Sequence, residues 1–129
     1  MKVTNEHVDL KWIGNILEAT YKAGPKIDLE AAKDILSERL EFTGGKDVPV
    51  LVVDSGLVRM DKHARDFLSS NDGVKGIRAS ALISSSVVNS MLVNFILKIS
   101  RPNLPVKVFT DREDALNWLK SYVDEDQNK

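Results

Sequence analysis

The sequence predicts an α/β domain, an N-terminal β-hairpin followed by βα units that form a mostly parallel mixed sheet with helices packed on it. Two observations predict it. An early stretch alternates apolar and polar residues around a glycine. Three later short apolar runs are each followed by an amphipathic segment. The chain has 129 residues, 43% of them hydrophobic and 29% charged, which is an ordinary composition for one domain with one core.

The elements follow in order. Val8, Leu10 and Trp12 alternate with Asp9 and Lys11, Gly14-Asn15 interrupts, and Ile16 to Tyr21 resumes, so the spacing predicts a hairpin with a glycine-bearing turn. After Gly24-Pro25, Asp28 is placed to cap a helix whose Leu29, Ala32, Ile35, Leu36 and Leu40 recur at helical spacing, and Thr43-Gly44-Gly45 closes it. Val48 to Val53 then leads into Asp61 to Leu68, Ile77 to Ile83 into Ser86 to Ile99, and Val106 to Phe109 into Asp111 to Val123. Strands separated by helices of this length need crossover connections, which makes them parallel. Thr110 and Glu113 have the spacing of a capping box for the last helix. Asn71-Asp72-Gly73 and Arg101-Pro102-Asn103 mark breaks. Residues 1–123 read as one domain and residues 124–129 as a polar tail.

Bulk chemistry narrows the function classes. Eighteen Lys and Arg face 19 Asp and Glu for a net charge of −1, so no strong field favours nucleic acid or anionic membranes. There is no cysteine, which removes thiol catalysis and cysteine-ligated zinc and fits a cytoplasmic setting. The two histidines, His7 and His63, make no metal-ligand cluster, and no pattern requires a cofactor. The N-terminus MKVTNEHVDLK has no apolar signal-peptide region, and Val87 to Ile99, broken by Asn89, Ser90, Asn94 and Lys98, is too short to span a membrane.

In an open α/β sheet, ligands gather beyond the carboxyl ends of the strands. Asp54, Ser55, Asp61 and His63 fall there, as do Ser84, Ser85 and Ser86, and these seven residues are the candidate rim. Ser55, His63 and Asp54 or Asp61 have the residue types of a nucleophilic triad. A simpler reading has Asp54 ending a strand, Gly56 permitting a bend, Asp61 capping a helix and His63 exposed in its first turn. The serines have the same double reading, as helix cap or phosphate site. No residue is assigned as catalytic. Gly44-Gly45-Lys46 lacks the spacing of a phosphate loop.

The segment SSSVVNSMLVNFILKIS is apolar around most of a helical circumference, leaving Ser90, Asn94 and Lys98 as a narrow polar line. Such a helix is packed between the sheet and a neighbour, or lies in a subunit interface, or walls an apolar ligand pocket. Met91, Leu92, Phe95 and Ile96 are the interface or pocket candidates.

Taken together, LVVDSGLVRMDKHARDFL, IRASALISSSVVNSMLVNFILKIS and LPVKVFTDREDALNWLKSY resemble a group of small bacterial proteins described as STAS/Sec14-like or SpoIIAA-like. The resemblance covers Ile27 to Tyr122, and its most specific piece is PVKVFTDREDALNWL. It implies a SpoIIAA-like fold and a regulatory or ligand-binding role without catalysis. STAS domains that act as anti-sigma-factor antagonists carry Asp-Ser-Ser-Gly at a helix start, with the second serine phosphorylated. Here Met60-Asp61 is similar to the opening of that motif, while Lys62-His63-Ala64 stand where Ser-Ser-Gly is expected. Ser55 lies too early to replace the phosphoacceptor. The sequence therefore leads to a non-enzymatic module that engages a protein partner or a second copy, with a small apolar-ligand binder as the alternative.

Overall fold

The computed structural model describes residues 2–55, 57–83 and 104–123. Its chain order is β1 (Lys2–Thr4), β2 (Val8–Ile13), β3 (Ile16–Lys22), α1 (Leu29–Thr43), β4 (Val48–Ser55), α2 (Lys62–Leu68), β5 (Ile77–Ile83), β6 (Val106–Phe109) and α3 (Arg112–Lys120). The six strands among the described residues lie in one sheet, in the order β1-β2-β3-β4-β5-β6. β1, β2 and β3 pair antiparallel, and β3-β4, β4-β5 and β5-β6 pair parallel, as the alternation and the crossover spacing predict. The strand β1, which the sequence reading did not anticipate, lies outside the hairpin in register with Asp9 to Lys11.

The hairpin turns on Gly14, whose φ of 58° comes first of the two central residues, with no non-glycine residue at positive φ among the described residues. That is the pattern of a type II′ turn, which matches the twist of the flanking strands. β4 is the most enclosed strand, with Val48 to Val52 buried, because helices cover both faces of the parallel part of the sheet. Its Pro49 falls where the register with β5 shifts, a place where a missing backbone donor is tolerated.

Side-chain alternation sorts the core into two layers. On one face, Val8, Leu10, Leu17, Ala19, Val50, Val52 and Leu82 pack with Ala32 and Ile35 of α1 and with Ala64 and Leu68 of α2. On the other, Ile16, Leu51, Ala79 and Ala81 pack with Ala115 and Leu119 of α3. The alanines at 79, 81 and 115 are fully buried, and their small side chains let α3 lie close to β5.

The caps fix the helix ends. Asp28 Oδ1 accepts the Ala31 N–H at 2.8 Å, and Gly44 in the left-handed region ends α1, with Gly45 N–H returning to the Leu40 carbonyl at 2.9 Å. The inner face of α1 differs from the predicted stripe. Ala32, Ile35, Arg39 and Thr43 are buried, whereas Leu29 is exposed and Leu36 and Leu40 are half-buried. The start of α3 is a second correction. Asp111, not Thr110, is the N-cap, its Oδ2 accepting the Asp114 N–H at 3.1 Å, since a carboxylate at this position also complements the helix dipole.

Candidate functional site

Parallel pairing of β3 to β6 puts their carboxyl ends along one edge. Asp54 and Ser55 end β4 there, in register with Tyr21 and Lys22, and the Ser55 carbonyl accepts the Ala23 N–H at 3.0 Å. Asp61 and His63 belong to the start of α2. Asp61 Oδ1 accepts the Ala64 N–H at 2.8 Å, so the carboxylate is engaged in capping, and His63 is exposed. The edge is held by a stitch between two loops. Ile27 N–H donates to the Arg59 carbonyl at 2.9 Å, Asp61 N–H to the Ile27 carbonyl at 3.0 Å, and the Arg59 guanidinium to the Gly24 carbonyl at 3.1 Å. Ser84, Ser85, Ser86, Met91, Leu92, Phe95 and Ile96 lie outside the described residues, as does Gly56.

Beside this edge an open cleft of about 310 Å³ runs between the β1-β2 turn and α1, lined by Asn5, His7, Lys26, Asp28, Asp34 and Glu38 among others. Asn5 shapes the turn. Its Oδ1 accepts the N–H groups of His7 and Val8, each at 2.7 Å, and its amide donates to the Glu38 carboxylate. His7 Nδ1 is buried without a partner, and its Nε2 lies 3.4 Å from Glu6. No group of metal-ligating side chains occurs among the described residues.

Two buried charged residues, Glu18 and Arg39, have no role in the sequence analysis. Glu18 of β3 is 4% exposed on the α3 face, where Lys11 approaches at 3.2 Å from the paired strand and Arg112 at 2.5 Å from the first turn of α3. Arg39 is 6% exposed on the opposite face, and its Nη2 donates to the carbonyls of Gly73 at 2.8 Å and Lys75 at 3.0 Å. Tyr21 is buried on the same face, and burial raises the pKa of its phenol while the nearby guanidinium pulls it back. Burial also lowers the pKa of Arg39, with Tyr21 acting in the opposite sense. Tyr21, Arg39 and Ser80 line a cavity of about 30 Å³ whose remaining wall is apolar, including Val8, Leu10, Val50, Val52 and Leu68. A signal for Arg39 was present, because it stands four residues after Ile35 and seven after Ala32, within the buried stripe.

The sequence profile of a domain of unknown function, DUF7793, matches residues 10–123. The chain belongs to the DUF7793 family. No curated protein matches it. Among solved structures, it is similar to an uncharacterized protein of the DUF3478 family with a SpoIIAA-like fold from Shewanella loihica PV-4, at a TM-score of 0.60 and 19% identity, covering 91% of this chain and 98% of that one. The likeness is one of fold: this DUF7793 chain has the mixed α/β architecture that the parallel units predict, and it is SpoIIAA-like as the resemblance implies. No helix among the described residues of this DUF7793 domain is long and apolar enough to cross a membrane.

Proposed function

We propose that this DUF7793 domain is a non-enzymatic interaction module that engages a protein partner or a second copy of itself through the carboxyl edge of its sheet. The observation that carries the reading is the exposure of Leu57, 51%, and Leu29, 37%, on that edge. They are the two exposed large hydrophobics among the described residues: Leu29 opens α1 just after the Ile27 stitch, and Leu57 lies two residues before Arg59, the other side of that stitch. An apolar side chain on a fixed backbone contributes to binding without the cost of ordering a loop. The replacement of Ser-Ser-Gly by Lys62-His63-Ala64 at the start of α2 supports regulation without a serine phosphoacceptor there. Bacterial cytoplasm is the expected setting.

Light scattering after size-exclusion chromatography and affinity capture from native lysate, each with wild type and Leu57→Glu, test the reading. The expected outcome is a dimer or a captured partner that the substitution abolishes. A monomer that captures nothing, or binding unchanged by the substitution, refutes it. A second reading is a small apolar-ligand binder; its pocket is expected beside Ser84 to Ile99, outside the described residues, and among the described residues a cavity with an apolar wall lies beneath α1 and α2. At about 30 Å³ that cavity is far below the several hundred Å³ of ligand pockets, so this role requires it to open. Native mass spectrometry after mild purification tests it, with a retained lipid or metabolite as the expected result and the bare chain mass as the refuting one.

A further inference from the structure

Arg39 brings a positive charge into the core with no counter-charge among the described residues. The residue is 6% exposed, its Nη2 is shared between two backbone carbonyls, and its Nε is buried with no partner. No carboxylate among the described residues forms an ion pair with it. The backbone carbonyls supply acceptors but not a negative charge, and an isolated cation in an apolar interior is strongly disfavoured.

The cavity lined by Arg39 is also lined by two hydroxyl-bearing residues, Tyr21 and Ser80, and by no acidic residue. The phenol keeps its proton, because burial opposes its ionisation, so Tyr21 is available as a donor. A water needs roughly 10–15 Å³ of such space, and about 30 Å³ therefore suits one or two waters or a single ion of halide size. Water can satisfy the Nε–H but leaves the charge uncompensated. Sulfate and phosphate are larger and carry oxygens that the apolar wall gives no donors for. A halide accepts from guanidinium and hydroxyl donors together and neutralises the guanidinium.

We propose that Arg39, Tyr21 and Ser80 form a buried binding site for one small monovalent anion of halide size, set between α1 and the sheet. The site is independent of the edge assigned to partner binding, and its failure leaves that reading intact.

Thermal unfolding of the full chain in sodium chloride or bromide, against sodium gluconate at matched ionic strength, is the solution test. Binding to the folded state alone gives a Tm that rises with halide and follows a saturating curve. Tyr21→Phe removes one donor and shifts the half-saturating concentration upward by about tenfold. Arg39→Met abolishes the halide response. Crystals grown in sodium bromide give a readout that does not depend on any variant folding, an anomalous peak in the cavity within hydrogen-bond reach of Arg39 Nε. Equal Tm values in halide and gluconate, a rise that never saturates as for an adventitious ion only, or a cavity holding water alone in bromide crystals would each overturn the proposal.

Discussion

Glu18 and Arg39 are buried to the same degree on opposite faces of the sheet, yet their surroundings differ in kind. Glu18 has two cations, from the adjacent strand and from α3, whereas the hydrogen-bond partners of Arg39 among the described residues are carbonyls of the turn after α2. The first arrangement reads as a fastening, because removing the carboxylate's partners leaves a charge that the core cannot tolerate. The second lacks a carboxylate partner among the described residues, and that is what makes it a candidate site. A buried charge is informative about function when its compensation is incomplete.

Three measurements break or sharpen this comparison. The largest effect is expected on the Glu18 side. Replacing Lys11 and Arg112 together by Met keeps their apolar stems but leaves Glu18 uncompensated, and urea unfolding should show a loss of about 3–5 kcal/mol. A loss below about 1 kcal/mol, the usual worth of a surface pair, would make Glu18 no more than a rim contact.

The next effect falls on the Arg39 side. A Cβ at Gly73 would stand 2.0 Å from the Phe67 carbonyl oxygen and 2.7 Å from Leu68 Cα, so the backbone that carries one acceptor for Arg39 has to move. Gly73→Ala should cost about 1–3 kcal/mol, read as a lower urea midpoint at unchanged slope. Wild-type stability in this variant would show that the turn adapts and that Arg39 is not fixed by it.

The smallest effect is on pH dependence. The folded-state pKa of Tyr21 is raised above its usual 10.0, so above that pH the unfolded chain loses a proton that the folded chain keeps. Stability therefore falls as pH rises from 10.0 toward the folded value. Arg39, whose pKa burial lowers from that of a free guanidinium, acts in the opposite sense at still higher pH. Tyr21→Phe should flatten the falling limb in urea midpoints measured across pH 10.0, and an unchanged limb would mean that Tyr21 ionises as freely folded as unfolded.

Much of the fold was legible because it rests on local periodicity. Val8 to Tyr21 alternates with period two, and Asp28 and Asp61 stand directly before helical spacing, which is where the structure uses them as caps. β1 was not legible, since Lys2 to Thr4 is too short to show a period and its pairing depends on a neighbour that folds beside it. Thr110 and Asp111 are both competent caps, and the choice between them depends on where α3 meets the sheet. The candidate rim was placed at the carboxyl edge by strand direction alone. Arg39 and Glu18 were missed for a common reason: a charged residue inside an apolar stripe reads as exposed until the element opposite it is known.

The strands lie side by side in the sequence in which the ribosome makes them. Each new strand finds its template already synthesised, so no earlier pair has to be prised apart to admit it, and assembly can keep pace with translation. A stalled chain is left with a narrower ribbon and one open border, not with a gap at its centre.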